Sequence, residues 1–397
     1  MTIEEIMTRG APVLSYASIL EQAVRDQVSV LAEMPFIFPH IALMPDAHAG
    51  KGSSVGTVIP TRRAVIPAAV GVDIGCGMIA AKTSLFKDDI AGFRLGPLRH
   101  RIENAIPLSA GNYNDDDAWK KNSDTRHRIE RLEAKAERDG VDLSHSPKWR
   151  EQLGTLGSGN HFIEACFDQN NQIWLFLHSG SRGVGNKIAQ RHIKIAQDLC
   201  NLWHIPLAHK DLAYLPQGTP QFTQYLKDLN WAQQFALLNR EEMMDRFALE
   251  FTAWVGGSVA EEERINCHHN YTEPVTIRGE KVWLTRKGAI DASFGSRGVI
   301  PGSMGTRSYV VTGKGDATAL ASAPHGAGRV MSRSKAKKAF TPEDLDIAMA
   351  GIEYRSGEQF LDEHPKAYKD IDVVMEDAKS MVAITHTLRQ FVNVKGD

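Results

Sequence analysis

Residues that can bind a metal ion or engage a phosphate occur beside glycines at several places in this sequence. The segment DIGCG offers a carboxylate at Asp73 and a thiol at Cys76, and its glycines let the backbone bend around a ligand. A thiolate can bridge two divalent metals. The same segment also fits a small buried cysteine at a strand end and an aspartate that caps a turn.

Four histidines extend the set of candidate ligands. His161 opens an apolar alternation after a glycine-rich loop, where it could equally bond a backbone carbonyl. His178 ends the apolar run WLFL and is followed by SGSRGVG, whose amides and Arg182 suit a phosphate, although an ordinary strand-to-helix turn fits too. Adjacent histidines point apart in a strand, so in CHHN we expect one of His268 and His269 to bind metal and the other to be structural.

His325 stands beside the most basic run of the chain, SRSKAKK. The small residues around it in PHGAGR leave room for a large substrate against the imidazole. A helix over 329–338 would place Arg329 and Arg333 on one face, and a solvated basic surface is the alternative. In PDAHAGKG, Asp46 could orient a histidine, as carboxylates behind metal ligands do.

Together, one aspartate, one cysteine and several histidines at the edges of glycine loops match a manganese- or zinc-type site better than magnesium alone. The basic residues nearby imply a phosphate substrate. Metal-assisted phosphoryl transfer is therefore the class of reaction that these residues predict.

Composition narrows the class of protein. The chain has 397 residues, of which 42% are hydrophobic and 24% charged, so it can bury a large core and disorder is not expected. A net charge of −2 argues against a protein that coats nucleic acid but leaves room for a local basic groove. We expect no membrane span, signal peptide or disulfide scaffold, and a cytoplasmic location.

The elements that must position these residues follow from periodicity and turn signals. A first helix is expected to begin with a capping box of Ser18 and Glu21 and to stop at Pro35. Strands and tight loops are expected in 41–82, 160–180 and 281–311. Further helices are expected from Gly185 to about Trp203, over 228–256, from Thr341 onward and over roughly 375–390.

Residues 111–150 are the most polar stretch, and we interpret them as a surface excursion with no core role. Glycine loops are scattered from 50 to 328, and strands and helices do not alternate regularly. These patterns predict an α+β fold, a single interleaved domain over 1–397, with a β-sheet core, a cleft lined by glycine-rich loops and flanking helices.

The motifs resemble those of the RtcB family of RNA ligases over nearly the whole chain, and most closely its bacterial branch. The segments that carry the resemblance are PDAHAGKG, VGVDIGCGM, LGTLGSGNHF, LHSGSRGVGN, INCHHNY, RKGA, IPGSMG, HGAGRVMSR, AYKDID and the terminal VKG. Ten matches in order are specific, whereas any one of them would not be.

The resemblance implies a ligase that joins an RNA 2′,3′-cyclic phosphate or 3′-phosphate end to a 5′-hydroxyl end, with GTP and two Mn(II) ions. His325 would carry GMP covalently, and Cys76 would bridge the two ions. The implied metal ligands are Asp73, Cys76, His161, His178 and His269, the last chosen because the family's ligand directly precedes the asparagine of HN.

The resemblance also implies contacts to the nucleotide, with Phe162 near the guanine and Glu164 accepting hydrogen bonds from its edge. The full set of implied nucleotide contacts is Asn160, Phe162, Glu164, Ser303, His325, Ala327, Gly328, Tyr368 and Lys395, while Arg182 and Arg333 are expected to touch phosphate or RNA. Transfer, ribosomal and messenger RNA are all compatible partners, and the oligomeric state and any helper protein stay open.

Two departures from the family pattern stand out. Pro324 precedes His325 where family members usually carry serine, and Ala49 replaces a larger apolar residue. Together with the divergent 111–150 region, they suggest a specialised paralogue, an idea that equal ligation of generic and structured broken RNAs would contradict. A phosphoesterase that only opens cyclic phosphates and a non-enzymatic RNA-binding protein are the alternatives, but the intact ligand set and His325 favour the ligase.

Overall fold

The computed structural model describes residues 3–397 of the chain. The strands are β1 (Glu4–Ile6), β2 (Val13–Ser15), β3 (Ile41–His48), β4 (Val55–Thr61), β5 (Ala64–Val65), β6 (Gly77–Phe86), β7 (Phe162–Phe167), β8 (Gln172–Ser179), β9 (Leu215–Pro216), β10 (Glu261–His268), β11 (Asn270–Ile277), β12 (Glu280–Lys287), β13 (Ala289–Asp291), β14 (Arg297–Ile300), β15 (Ser308–Gly313), β16 (Ser322–Pro324), β17 (Glu353–Tyr354) and β18 (Val382–Lys395).

The α-helices are α1 (Gln22–Ala32), α2 (Pro67–Val70), α3 (Leu95–Ala105), α4 (Ser123–Asp139), α5 (Arg182–Leu202), α6 (Pro220–Val255), α7 (Arg333–Ala339), α8 (Pro342–Ala348) and α9 (Ile371–Asp377). Short 3₁₀ turns cover Lys87–Ile90, Ala118–Lys121, Lys210–Leu212, Glu358–Glu363 and Pro365–Ala367. None of the helices in 3–397 combines the length and the apolar character that crossing a bilayer requires.

Two large sheets organise the molecule. The first has the strand order β1-β2-β3-β4-β12-β11, and the second has the order β10-β6-β8-β7-β18-β15-β14, with β17 beside β18. In the second sheet β14 packs back against β10 and β6, so the sheet curls almost into a barrel. Both halves of the chain contribute strands to both sheets, which confirms the predicted interleaved α+β fold.

The second sheet separates two apolar cores, one inside the near-barrel and one on its outer face. Alternate residues of β6, β7 and β8 point into the barrel, where Met78, Phe162 and Phe176 belong to one apolar cluster. The residues between them point outward and pack with α3 and the 36-residue helix α6. Because side chains alternate between the faces of a strand, each strand serves both cores.

The segment 111–150 does have a core role, contrary to the prediction. Its helix α4 buries Ile129, Leu132 and Ala136 against α6, and Trp149 stacks edge-on against Trp231. The polar residues of α4 form its outer face, so composition alone concealed an amphipathic helix with a narrow apolar stripe.

Several predicted boundaries were wrong. Helix α1 begins only at Gln22, and Glu21 caps it without a side-chain bond, so there is no Ser18–Glu21 capping box. Helix α5 begins at Arg182 and not after Gly185. The expected helix over 329–338 begins at Arg333, so Arg329 is not on it.

The largest error concerns the last element. The predicted helix over 375–390 is replaced by the short helix α9 and the 14-residue strand β18. Val382, Ile384 and Thr385 are β-branched, and such residues favour strands. By contrast, the helix predicted from Thr341 is confirmed, with reciprocal bonds between Thr341 and Asp344.

Candidate metal and nucleotide site

The five candidate metal ligands lie at one edge of the near-barrel sheet. Cys76 directly precedes β6, His161 directly precedes β7, and His269 directly follows β10. His178 lies near the end of β8, where it is paired with both Met78 of β6 and Phe162 of β7. Because these strands are neighbours, their register brings the cysteine and the three histidines close together, and Asp73 lies in the turn before β6.

Their donor atoms converge to contact distances. Cys76 Sγ lies 3.4 Å from His161 Nε2 and 3.2 Å from His178 Nε2. Nε2 of His178 is in turn 3.0 Å from Nε2 of His269, and His161 Nε2 is 3.1 Å from Oδ2 of Asp73. Cys76, His161 and His178 form a buried group whose ligand atoms all lie within 4.8 Å of one another.

The other ring nitrogen of each histidine is held by an oxygen of the protein. Nδ1 of His161 lies 2.9 Å from the carbonyl of Leu156, and Nδ1 of His178 lies 3.2 Å from the carbonyl of Asn160. A carbonyl oxygen can only accept, so the proton sits on Nδ1 and the Nε2 lone pairs face the cluster. This is the orientation that metal-ligating histidines require.

Burial favours the neutral form of these rings. It lowers the pKa of His178 and of His269 well below the ordinary range, and neighbouring imidazoles add to the shift. Neutral imidazole is the form that binds metal. Burial and the adjacent Asp73 carboxylate raise the pKa of the Cys76 thiol, so a thiolate here needs positive charge beside it.

The two adjacent histidines lie on opposite faces, as predicted from strand alternation. His269 faces the cluster, whereas Nδ1 of His268 lies 2.9 Å from the carbonyl of Gly75 and 3.1 Å from Nη2 of Arg240. His268 is therefore enclosed among backbone and guanidinium groups behind the cluster.

His325 stands at the inner end of a cleft next to this cluster. Its ring centre is 4.7 Å from that of His269. Nδ1 lies 2.6 Å from Oδ2 of Asp46, a fully buried carboxylate that also accepts from the backbone amides of His325 and Gly326. Gly328 allows this close approach, because a Cβ on its left-handed backbone (φ +72°) would lie 2.2 Å from the carbonyl oxygen of Asp46.

The cleft is small, with a volume of about 90 Å³ that water-sized molecules can occupy. All nine residues expected to contact the nucleotide line it, and so does Arg333. Its lining comprises His48, Met78, Asn160, Phe162, Glu164, His178, Pro301, Gly302, Ser303, Met304, Ser308, His325, Gly326, Ala327, Gly328, Arg329, Arg333, Glu363, Tyr368 and Lys395.

Glu164 lies on the inner face of the barrel, where β7 pairs with β18. Its Oε1 accepts a 2.7 Å bond from the amide of Asn393, the residue directly opposite. Burial raises the pKa of Glu164 to about 8 although the bond from Asn393 opposes the shift. A carboxyl group at the inner wall of the cleft can form hydrogen bonds with the edge of a base.

Glu363 is a member of the cleft that sequence reasoning missed. It accepts from Lys395 Nζ at 3.0 Å, from Arg333 Nη1 at 2.6 Å, from Arg329 Nη1 at 3.1 Å and from the Tyr368 hydroxyl at 2.8 Å. Burial alone would raise its pKa, but these cations lower it. One glutamate among many has no distinguishing spacing, so only the fold identifies it.

Arg182 lies apart from the cleft lining. It packs between Gly157 and Thr155, whose hydroxyl accepts a 2.9 Å bond from Nε, and its side chain is close to His161. Arg333 is more exposed at the cleft and is paired with Asp362 and Glu363. Of the two arginines expected to contact phosphate or RNA, Arg333 lines the cleft and Arg182 does not.

The chain matches a family model described as "tRNA-splicing ligase RtcB" over residues 27–396. It is 43% identical to the RNA-splicing ligase RtcB of Escherichia coli K12, with both chains covered completely. It is also 30% identical to the tRNA-splicing ligase RtcB of Pyrobaculum aerophilum, over 96% of this chain and 93% of that one.

The chain belongs to the RtcB family of RNA ligases. This confirms the family and the RNA ligase activity predicted from the motifs. The chain is also 30% identical to the RNA-splicing ligase RtcB homolog 1 of Entamoeba dispar, over 93% of this chain and 81% of that one. The buried Cys76, His161 and His178 group fits a metal-dependent RtcB enzyme.

Proposed function

We propose that this RtcB protein joins an RNA end bearing a 3′-phosphate or 2′,3′-cyclic phosphate to a 5′-hydroxyl end through a covalent His325–GMP intermediate. The observation that carries the proposal is the bond between His325 Nδ1 and Asp46, which leaves the Nε2 lone pair free to attack. Transfer, ribosomal and messenger RNAs are the candidate substrates.

We propose that this donor set holds two Mn(II) ions. Asp73, Cys76, His161, His178 and His269 combine a carboxylate, a thiol and three imidazoles, and such mixed ligands suit Mn(II) or Zn(II) better than Mg(II) alone. The Cys76 sulfur would be a ligand shared by both ions. Bound there, the ions would offset charge on phosphate oxygens beside His325.

The proposed role of His325 is to split one difficult transfer into two easier ones. Nε2 attacks the α-phosphorus of GTP, a P–N bond forms, and pyrophosphate leaves. An oxygen of the RNA 3′-phosphate then attacks the same phosphorus, and the P–N bond breaks as GMP moves to the RNA. A cyclic phosphate end would first be opened by water.

The final step joins the RNA ends. The 5′-hydroxyl oxygen attacks the activated 3′-phosphate, and GMP leaves with the electron pair of the cleaved anhydride bond. Arg182 and Arg333 are proposed to hold phosphate or RNA during these steps, since guanidinium groups bind phosphate in pairs of hydrogen bonds.

The cleft is proposed to hold the guanine nucleotide. Phe162 would lie near the base, and Glu164 would accept from its N–H groups. Lys395 lies 5.8 Å from the centre of the Phe162 ring and is held by Glu363, so it is placed close to the same ligand. Asn160, Ser303, Ala327, Gly328 and Tyr368 would supply the remaining contacts.

The test is covalent labelling with α-labelled GTP and Mn(II), comparing the wild type with His325→Ala. We expect acid-labile label on the wild type alone, with both proteins folded and binding metal. Label on His325→Ala would refute the assignment of the nucleophile. Opening of cyclic phosphates without any label on the wild type would favour the phosphoesterase instead.

A further inference from the structure

Arg240 is a fully buried cation at the centre of the long helix α6. Among the described residues, none of its hydrogen-bond partners is a carboxylate. Burying a charge without such a partner is costly, so a residue of this kind needs a structural reason for its position. Its partners supply that reason.

The guanidinium bonds to the backbone beside the proposed metal ligands. Nη1 donates to the carbonyl of Gly75 at 2.8 Å and to the carbonyl of Ser179 at 3.1 Å. Gly75 directly precedes Cys76, and Ser179 directly follows His178. One nitrogen therefore ties the loop that carries the thiol to the strand that carries a histidine.

The other two guanidinium nitrogens, Nε and Nη2, bond to β10, the strand that leads to His269. Nη2 lies 3.1 Å from Nδ1 of His268, the neighbour of His269, and Nε donates to Asn266 at 2.7 Å on the same strand. Asn239, next to Arg240 on α6, donates to the carbonyl of Gly180 at 3.1 Å. Helix α6 thus holds the segments of three ligands from behind.

The planar shape of the guanidinium explains why arginine stands here. Its donors lie in a rigid fork, so fixing the plane fixes the directions of all of its hydrogen bonds at once. A lysine ammonium has the same charge but no fixed fork. The positive charge also lies near enough to the Asp73 carboxylate and the Cys76 thiol to interact with both electrostatically.

We propose that Arg240 is a positioning residue for the metal centre, which sets the spacing of the Cys76, His178 and His269 segments through the backbone and His268. This inference rests on the proposed ligand set. It adds that metal affinity depends on the forked geometry of a side chain that touches no metal.

The experiment measures Mn(II) binding by calorimetry on the full chain after metal removal with a chelator. Arg240→Lys keeps the charge and removes the fork, and Arg240→Met removes both. We expect each to weaken Mn(II) binding by about 10- to 100-fold, the range found for residues that support metal ligands. Reconstitution with Co(II) should show an altered thiolate-to-metal absorption band in both variants.

Arg286→Met is the matched control. Arg286 is almost as buried, but it pairs with Glu273 and Asp291 and bonds to the Tyr271 hydroxyl. Among residues 3–397, its side chain bonds to no residue directly next to a proposed ligand. We expect this variant to lose stability while its Mn(II) affinity and Co(II) spectrum stay those of the wild type. Circular dichroism of the metal-free proteins checks folding, and if Arg240→Met unfolds, Arg240→Lys decides.

The experiment distinguishes failure of the proposed ligand set from failure of the proposed role of Arg240. If the wild type binds no Mn(II), or if Cys76→Ala binds it as the wild type does, the proposed ligand set fails and the inference fails with it. If Cys76→Ala loses binding but folded Arg240→Lys binds Mn(II) as tightly as the wild type, the ligand set stands and the positioning role of Arg240 is overturned.

Discussion

Asp46 and His325, 279 residues apart in the chain, form a 2.6 Å contact between a fully buried carboxylate and Nδ1 of the imidazole. The contact determines the tautomer of the ring, since a carboxylate accepts the Nδ1 proton and leaves the lone pair on Nε2. It also stabilises the positive charge that develops on the ring when Nε2 attacks phosphorus. The proposed nucleophile is therefore oriented before any substrate binds.

Asp46→Asn should slow formation of the His325–GMP adduct strongly, because the amide offers no charge and no longer enforces one tautomer. We expect a fall of at least about 100-fold, as found when aspartates that orient catalytic histidines are replaced. Rapid-quench measurement of labelling from GTP gives the rate. Mn(II) affinity serves as the control, and an unchanged labelling rate would show that Asp46 only holds the backbone of His325 and Gly326.

Cys76→Ala should lower Mn(II) affinity by at least about 100-fold, because it removes a direct ligand and even residues behind the ligands cost 10–100-fold. Calorimetry should show loss at both ion positions if the sulfur bridges them. Cys200→Ala is the control, since Cys200 is also buried but contacts the carbonyl of Tyr214 instead. Unchanged binding at both positions would contradict the bridging role.

Glu164→Gln should change how stability depends on pH. Burial raises the pKa of Glu164 from 4.5 to about 8, so between these values the folded protein holds a proton that the unfolded chain has released. The free energy of unfolding therefore falls as pH rises through this window. Glutamine does not titrate, so the Tm of the variant relative to the wild type should rise between pH 5 and pH 8.

The measurement for Glu164 is thermal unfolding of the metal-free proteins at several pH values. Parallel Tm curves for the wild type and Glu164→Gln would show that the carboxyl does not titrate in this range. The same variant should also lose preference for GTP over ATP in the labelling assay, since Glu164 can release its proton to accept both N–H groups of guanine and glutamine cannot.

Glu363→Gln should destabilise the protein by about 3 kcal/mol, because it leaves the buried ammonium of Lys395 without its counter-charge. Arg333→Ala removes a partner of the same carboxylate, but Arg333 is 42% exposed and should cost less than about 1 kcal/mol. Urea unfolding of the metal-free proteins compares the two. Equal losses would mean that burial does not decide the strength of these ion pairs.

Two features were predicted correctly because each depends only on residues close together in the sequence. The capping box at Thr341 depends on two side chains three residues apart, and the opposite orientations of His268 and His269 follow from the period of a strand. The strand β18 was mistaken for a helix, because its pairing with β7 and β15 involves residues far away in the chain. The apolar stripe of α4 was overlooked for a different reason, because the segment was judged by its polar composition although Ile129, Leu132 and Ala136 recur at helical spacing.

The sequence by itself determined the kinds of donor atoms and the chemistry they allow: a thiol, a carboxylate and imidazoles beside glycines, with basic residues for a phosphate. Motif order also determined the family. The sequence also indicated that Asp46 orients a histidine, but only the tertiary structure showed that this histidine is His325. The structure alone placed Arg240 behind three ligand segments and Glu363 between Lys395 and two arginines. Those groups lie far from their partners in the chain, and only the packing of α6 and the register of the near-barrel sheet bring them within hydrogen-bonding distance.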